Sequence, residues 1–407
     1  MKNVGTLFYY ELKKIWMRPL LWAALLGTMA FTAFGVLPSA LWSGAGGNLH
    51  VEYKDGRVVV GYVTEKEKLR IELEWAPKLN GTLLDEAFFR DMRNSLRELN
   101  LNETTATVRS DLEAYFLLVD PTYYGCYRYG SLNGDFQHIT EQSYYDRSRA
   151  LRQTEMASSW YGKLTEEEMD YWTRLGDQVQ TPYAYSYYRG WSSINQALSN
   201  LLCLLLPLLV GICLCNVFSC ERHRRTDALV FASRSGRFPL YLAKGLAGIV
   251  TIFAVTVLTV GAAIVTAGVV FGGGWFDAPI QLSTPTNWPI TMGQALMIRL
   301  GLYLTYALLC GGLVLLVSLL TGSGVAGMTA AIAMSMHEII LPRYFIEANW
   351  LPGNILSPSV FLRYRLVELF GVQFNWVELD LALYTAAALV LLALCWLGWR
   401  RSAVRVG

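Results

Sequence analysis

Residues 300–336 read LGLYLTYALLCGGLVLLVSLLTGSGVAGMTAAIAMSM and contain no Asp, Glu, Lys or Arg. A charge-free apolar run of about 18 or more residues is typical of a membrane-spanning helix. This run is too long for one helix, and Thr321-Gly-Ser-Gly324 interrupts it, because glycine and serine mark turns. The stretch therefore predicts two consecutive spans that form a helical hairpin.

Two further stretches, residues 245–276 and 381–399, also lack charged side chains. The chain of 407 residues is 53% hydrophobic and 16% charged. Soluble proteins carry about 25% charged residues, so the deficit is large. This composition excludes a single soluble enzyme.

The apolar runs predict an all-α polytopic membrane protein with six transmembrane helices and an α+β, mainly helical, extracytoplasmic domain. The predicted spans are residues 19–41, 194–218, 240–271, 295–320, 325–341 and 381–399. The other predicted segments are an amphipathic elbow helix (1–18), the extracytoplasmic domain (42–193), a cytoplasmic loop (219–239), an outer loop (272–294), outer re-entrant or interfacial helices (342–380) and a cytoplasmic tail (400–407).

Basic residues predict the orientation, because short loops rich in Lys and Arg stay in the cytoplasm. The N-terminal segment, the segment from residue 219 to Lys244 and the tail together hold 13 Lys and Arg residues. The short loops of the other face hold only Arg343, Arg363 and Arg365. We therefore expect a multi-pass protein of a cell membrane, most simply a bacterial plasma membrane, with both termini in the cytoplasm and residues 42–193 outside.

The segment before the first span has apolar residues at helical spacing, namely Val4, Leu7, Phe8, Leu12 and Ile15. Lys13, Lys14 and Arg18 lie to the sides of this stripe, and Glu11 can pair with Lys14 or Arg18. The pattern predicts an elbow helix in the cytoplasmic interface, with its cations reaching water. The alternative is that the segment only extends the first span inward.

The long insert is acidic, since residues 49–193 hold 17 basic and 23 acidic side chains. Asp55-Gly56 between alternating residues predicts a β-hairpin, residues 63–100 and 105–119 predict helices, and Thr165 with Glu168 predicts a capping box. Many tyrosines occur in this insert. Such side chains either pack a small domain or bind a ligand, and we favour packing.

Signatures of catalysis are incomplete. His337-Glu338 begins like the zinc motif HExxH, but position 341 is Leu. The sequence has neither the phosphate loop GxxxxGK[ST] nor the nucleophile elbow GxSxG. We therefore expect no catalytic residue, no metal site and no cofactor bound by this chain, and an intramembrane enzyme has little support.

Ionisable groups are rare in the predicted spans. Arg299 and Glu338 lie near outer ends, where each can reach water or the two can pair. The middle of the membrane is thus nearly free of charge, which disfavours coupling to a proton or sodium gradient. An externally powered transporter remains, as does a passive or scaffolding protein.

Residues 218–230, FSCERHRRTDALV, predict a short, charged amphipathic helix between the second and third spans. Such a segment is too large for a tight turn and too small for a domain. It suits docking into the groove of a partner. The alternative is a surface helix held by anionic lipid.

These features together resemble the ABC-2 type permeases, the membrane subunits of ATP-binding-cassette exporters, in the branch with a large extracellular domain after the first span. The resemblance lies in the six-span layout, in Glu11-Leu-Lys-Lys14 with Arg18-Pro19, and in the loop residues Glu221, Thr226, Leu229, Ser233-Arg234, Arg237 and Lys244. It implies that two such subunits pair, as a homodimer or heterodimer, and that each docks one ABC ATPase subunit, which holds ATP and Mg²⁺.

The resemblance also assigns roles to residues of this chain. The implied ATPase-docking residues are Glu221, Arg222, Arg224, Arg225, Thr226, Leu229, Arg234 and Arg237. The implied cargo is an amphiphile moved outward, such as a peptide, an antibiotic or a lipid-like molecule, and no nucleic acid is involved. The alternative function is a membrane sensor or scaffold whose extracytoplasmic domain binds a ligand and signals through a cytoplasmic partner.

Overall fold

The computed structural model describes residues 2–38, 41, 46–52, 55–97, 138–157, 163–223, 226–232, 238–344, 356–369 and 371–406. This part of the chain is mostly helical. Five of its helical stretches are long and apolar enough to cross a membrane: Pro19–Val36, Arg189–Leu214, Phe238–Phe271, Met292–Thr321 and Trp376–Arg401. These stretches indicate a multi-pass membrane protein.

The described residues of the first part of the chain form two helices, a hairpin and four more helices. They are α1 (Lys2–Trp16), α2 (Pro19–Val36), β1 (Gly46–Glu52), β2 (Val58–Thr64), α3 (Glu65–Trp75), α4 (Glu86–Leu96), α5 (Glu141–Ala157) and α6 (Glu166–Gly176). Strands β1 and β2 pair antiparallel, with Glu52 opposite Val58, so the predicted hairpin is confirmed. The Thr165–Glu168 capping box at the start of α6 is confirmed as well.

The second part contains most of the apolar helices. Its elements are α7 (Arg189–Ala197), a π-helical segment (Leu198–Leu202), α8 (Cys203–Leu214), α9 (Ser219–His223), α10 (Asp227–Ala232), α11 (Phe238–Phe271), α12 (Met292–Thr321), α13 (Gly324–Tyr344), β3 (Leu366–Leu369), β4 (Val372–Asn375) and α14 (Trp376–Val406). Short 3₁₀ turns occupy Ala76–Leu79, Gly274–Asp277, Ile280–Leu282 and Val360–Leu362.

Local sequence signals set several of these boundaries. Helix α2 begins with Pro19 in its first turn, where a missing N–H has no cost. A capping box of Thr291 and Gln294 begins α12. That helix ends at Gly322, whose φ of 69° lies in the left-handed region that glycine adopts without strain. The apolar run 300–336 is therefore divided into two helices at the predicted break.

Ring contacts bring distant segments together at one end of the helix bundle, which we call the α1 end. Trp399 near the C-terminus lies 5.4 Å from Phe218 and 4.8 Å from Phe231, measured between ring centroids. Helix α1 joins the same end, because Glu11 and the carbonyl of Val217 both bond to Lys244. The chain therefore begins and finishes at one end of the bundle.

The described residues of the 46–188 region pack on the opposite end. Trp172 of α6 donates a hydrogen bond to the carbonyl of Tyr364, and its ring lies 5.5 Å from that of Trp288. These contacts join α6 to the loops that precede α12 and α14. Thr286 donates to the carbonyl of Phe361 at 2.5 Å and joins the two loops to each other.

Helix α13 crosses the bundle antiparallel to α12. A Cβ atom on Gly324, at its start, would meet Asn216, whereas Ser335 donates to the carbonyl of Leu204 at 2.5 Å. Helix α13 thus runs back along α8 from the α1 end. It is not among the five stretches that length and hydropathy single out in the described part of the chain.

Several predicted boundaries differ from the structure. The first span ends at Val36 rather than 41, the second runs from Arg189 to Leu214, and α14 extends the last span through the predicted tail to Val406. The stretch 63–100, predicted as helical, contains α3 and α4 but is not one continuous helix. The chain leaves α3 through a 3₁₀ turn and Gly81, whose φ of 84° cannot continue a helix, before α4 begins.

The prediction of interfacial helices over 342–380 is also wrong for the described residues of that range. Helix α13 continues to Tyr344, and the β3–β4 hairpin precedes α14. Gly371, with a φ of 77°, forms the hairpin turn. The predicted helix over 105–119 lies outside the described residues.

Candidate functional site

Three segments meet at the side chain of Lys244, near the start of α11. Its ammonium nitrogen lies 3.0 Å from Glu11 Oε2 of α1 and 2.6 Å from Glu221 Oε1 of α9. It also donates to the carbonyl of Val217 at 2.8 Å. Lys244 is 0% exposed, and Glu11 and Glu221 are 6% and 7% exposed. We call Glu11, Glu221 and Lys244 the Lys244 cluster.

The charges of this cluster balance. Lys14, on the exposed side of α1, lies 2.5 Å from Glu11 Oε1, so two ammonium groups neutralise two carboxylates. Burial without such pairing would cost several kcal/mol for each ion. Each buried carboxylate of the cluster therefore needs its ammonium partner to stay in place.

The amphipathic pattern of α1 explains why Glu11 points inward. Glu11 and Ile15 are buried, while Tyr9 and Tyr10 are exposed. The end of the helix is fixed by Trp16, whose indole donates to the Thr251 hydroxyl of α11 at 3.2 Å. Helix α1 therefore packs against α11 and does not only extend α2.

The pKa of Glu11 follows from these contacts. Burial alone would raise the pKa of this carboxyl. Lys244 and Lys14 outweigh burial by charge and hydrogen bonding, so the pKa lies below its ordinary value of 4.5. Burial also raises the pKa of the neighbouring Cys220 thiol, and the Glu221 carboxylate raises it further. Cys220 is thus a weak nucleophile at neutral pH.

The structure replaces the single predicted loop helix by two short ones, α9 and α10. The backbone N–H of Thr226 donates to the carbonyl of Glu221 at 3.0 Å and links the two helices. On α10, Phe231 is buried against Trp399, whereas Leu229 is 75% exposed. The pair is therefore anchored to the bundle and presents an apolar side chain outward.

The predicted docking residues have different positions. Glu221 faces Lys244 rather than the surface, so its carboxylate is not available for direct docking, and Leu229 is exposed. The described residues include Arg222 only as backbone. The remaining predicted arginines lie outside the described residues: Arg224, Arg225, Arg234 and Arg237.

The other predicted residues of α1 lie around the cluster. Lys13 and Lys14 are exposed, as the pattern predicts. Glu11 pairs with Lys14, one of the two partners that the spacing allows. Arg18 instead donates to the carbonyl of Cys213 at 3.4 Å, so it fixes the start of α2 against the end of α8.

Of the candidate intramembrane pair, Arg299 and Glu338, the structure describes only the side chain of Arg299. Arg299 is 1% exposed and does not reach outward to water, so that expectation is wrong. It donates to Asn195, to Ser199 at 2.7 Å and to the carbonyl of Leu356 at 2.9 Å. The side chain of Glu338 lies outside the described residues.

The sequence pattern identifies Lys244 only as a cation at the foot of a span, and the central position of this residue was missed. The available signal is a single lysine placed within the apolar stretch of α11, where an unpaired charge would be costly. Among the described residues, no group of three or more His, Cys, Asp and Glu side chains could hold a metal ion.

Comparison with known proteins gives no relative for this chain: no protein-family model, no curated protein and no solved structure matches it. The resemblance to ABC-2 permeases therefore depends on the residues quoted above, and function has to be inferred from the contacts of the Lys244 cluster.

Proposed function

We propose that this chain is the permease subunit of an ATP-driven exporter, in which a separate ATPase docks on α9 and α10. The observation that carries the proposal is the Lys244 cluster. It joins α9 to an amphipathic helix and to a 34-residue apolar helix, and the Thr226–Glu221 hydrogen bond links α9 to α10, which carries the exposed Leu229. A push on the loop helices would therefore reach α1 and α11 directly.

The cluster suits this role because buried ion pairs keep their geometry. Moving α9 away from Lys244 would leave the Glu221 carboxylate or the Lys244 ammonium unpaired in a dry site, which costs several kcal/mol. Helix α9 and the start of α11 are therefore expected to move together. Leu229 and the basic residues after it would form the contact with the ATPase.

The location of the remaining charges supports an external energy source. In the described parts of the long apolar helices, the charged side chains lie within about two turns of a helix end, as Lys244 and Arg299 do. An ion-coupled transporter needs ionisable groups on its transport path. The sequence also has no GxxxxGK[ST] phosphate loop, so ATP would have to be hydrolysed by a partner chain.

The proposed membrane arrangement has six spans: the five long apolar stretches and, in addition, α13. An even number agrees with the position of α1 and Trp399 at the same end. The excess of Lys and Arg in the sequence before α2, in the segment that follows α8 and after the last span supports a cytoplasmic position for this end by the positive-inside rule. The 46–188 region would then lie outside the cell, and two subunits would pair in the membrane.

Co-expression with candidate ABC ATPase subunits from the source organism tests the proposal. We expect a complex whose ATPase activity rises in the presence of the permease. Leu229→Asp should weaken the complex at least tenfold. The matched control is Met169→Asp, which changes an exposed apolar residue of α6 at the opposite end.

Two results would contradict the proposal. One is a complex that Leu229→Asp leaves intact. The other is transport by the purified chain in vesicles with an ion gradient and no ATPase. Failure of any ATPase to bind, together with a ligand-dependent contact to another cytoplasmic protein, would favour a sensor or scaffold.

A further inference from the structure

A cavity of 610 Å³ lies where α2 ends and α7 passes into the π-helical segment. Its other walls come from α3 and from the extended residues 185–188. The volume lies within the range of about 300–1,000 Å³ that is typical of small-molecule sites. None of the expectations from the sequence includes this cavity.

The lining combines apolar and polar side chains. Val36, Leu37 and Leu201 contribute aliphatic side chains, whereas Tyr187 and Gln196 contribute polar ones. The cavity thus offers contacts both to the apolar part and to the polar head of an amphiphilic molecule.

The polar part of the lining contains an ion pair of which only the carboxylate is buried. Glu72 is buried, and Arg189 Nη1 lies 3.2 Å from Glu72 Oε2 and 3.3 Å from Oε1. The hydroxyl of Tyr187 donates to Glu72 Oε1 at 2.7 Å. Because the carboxylate and the guanidinium cancel, this part of the lining has no net charge. It therefore favours a head that carries both signs over a head that carries one.

The guanidinium can still bind a ligand. Among the described residues, its hydrogen bonds to Glu72 come from Nη1 alone. The side chain of Arg189 is 43% exposed, so Nε and Nη2 remain as donors for an anionic oxygen. The rings of Tyr187 and Tyr188, beside the Glu72 carboxylate, are surfaces that attract an ammonium group.

The backbone around the cavity is unusual in two ways. Asn200 and Leu201, which line it, belong to the π-helical segment, and such segments occur frequently at functional sites. Gly35 faces the same segment, and a Cβ atom there would overlap the Cδ1 of Leu201. A side chain at residue 35 would therefore have to displace the end of the Leu201 side chain, which lines the cavity.

We propose that this cavity binds a single-chain zwitterionic amphiphile. Its anionic oxygen would bond to Arg189, its ammonium would lie near Glu72 and the tyrosines, and its chain would lie on Val36, Leu37 and Leu201. Binding of this kind does not depend on the proposed transport function, since it requires neither an ATPase nor movement of the helices.

Photo-crosslinking of the full-length protein in lipid nanodiscs tests the proposal. The probe is lysophosphatidylcholine with a diazirine near the glycerol. We expect the crosslinked peptides to contain residues 35–38 and 189–201. Dodecylphosphocholine should compete with the probe, and dodecyl phosphate and dodecyltrimethylammonium should compete at least tenfold more weakly.

Two variants make the test specific. Gln196→Trp places a large ring in the cavity from an exposed position, and we expect at least a tenfold loss of crosslinking. Gln153→Trp, at an exposed position of α5 outside the cavity lining, should leave it unchanged. Thermal unfolding of both variants checks that the fold is retained.

Three outcomes would overturn the proposal: crosslinks spread evenly over the apolar helices, equal competition by the singly charged amphiphiles, or full crosslinking of Gln196→Trp. Since the probe experiment contains no ATPase, its failure leaves the docking proposal standing. Loss of ATPase docking would likewise leave the cavity proposal standing.

Discussion

Lys244 Nζ lies 2.6 Å from Glu221 Oε1 and links the start of α11 to the short helix α9. The same nitrogen bonds to Glu11, which lies 233 positions earlier in the sequence. One side chain therefore joins three segments that are far apart along the chain. The first prediction concerns the stability of this junction.

Replacing Lys244 by Met should destabilise the protein by about 3–5 kcal/mol, because the buried Glu221 carboxylate would lose the Lys244 cation and Glu11 would keep only Lys14. Unfolding in sodium dodecyl sulfate, followed by far-UV circular dichroism, measures the loss. Lys14→Met is the matched control. Half of the Lys14 side chain is exposed, so this change should cost no more than about 1 kcal/mol.

The triple variant Glu11→Gln, Glu221→Gln, Lys244→Met separates charge from packing. Because it removes both carboxylates with their cation, much of the lost stability should return. A triple variant no more stable than Lys244→Met would show that the cost comes from packing rather than from unpaired charge.

The lowered pKa of Glu11 makes the stability of the protein depend on pH. In the unfolded chain this carboxyl takes up a proton near its ordinary pKa of 4.5, and in the folded protein it does so only at lower pH. Its contribution is therefore fully present well above pH 4.5 and is lost as pH falls through the lowered pKa. The difference in melting temperature between wild type and Glu11→Gln should shrink over that range.

An exposed glutamate provides the control for this pH series. Glu74 lies 3.8 Å from Lys78, and both side chains are more than half exposed. Exposed pairs contribute little, so Glu74→Gln should change the melting temperature only slightly. An equally large and pH-dependent effect of Glu74→Gln would refute the special role of Glu11.

Cysteine labelling tests the proposed orientation, provided that the right position is used. Native Cys220 should react slowly with maleimide from either side, since burial and Glu221 raise the pKa of its thiol. Leu229→Cys introduces a thiol at a position that is 75% exposed. An impermeant maleimide should label it only after the cells are permeabilised, and it should label Met169→Cys in intact cells.

If Leu229→Cys is labelled in intact cells as fast as Met169→Cys, the proposed orientation of the protein in the membrane is wrong. The proposed ATPase site would then lie outside the cell, and the function proposed above would be wrong. Cys126 belongs to the 42–193 segment that we expect outside the cell, but it is not among the described residues.

The crossing of α8 and α13 depends on a glycine. A Cβ atom on Gly211 would overlap the Cβ of Ala331, so even Gly211→Ala should cost about 1–3 kcal/mol by overpacking. Gly261→Ala is the matched control. No atom lies within 4 Å of its added Cβ, and the change should stabilise α11 by about 0.5–1 kcal/mol. If both variants unfold at the same detergent concentration, the close approach at Gly211 is not required.

Features governed by neighbouring residues could be predicted from the sequence. The β1–β2 hairpin and the Thr165 capping box depend on side chains a few positions apart. The helix break before Gly324 follows from Gly322, which alone tolerates the required φ. The β3–β4 hairpin was missed although Gly371 marks its turn, because its aromatic residues favoured an interfacial interpretation.

The candidate site could be predicted only in part. Glu11 and Glu221 were singled out, but each for a surface role. Their common partner could not be recognised, since helical spacing shows which face of α1 is apolar and not which distant lysine meets it. The contacts of Arg299 could not be predicted for the same reason, because Asn195 and Leu356 come near Arg299 only once the helices pack.

The separation of Glu11 from Lys244 has a consequence for biosynthesis. At about 5–20 residues per second, a ribosome needs roughly 10–50 s to add the 233 positions between them. During this interval the nascent helix α1 must keep its carboxylate hydrated or shielded by Lys14, so it cannot yet settle against the bundle. The arrival of Lys244 thus allows the N-terminal segment to dock late, after the large 46–188 region has already emerged.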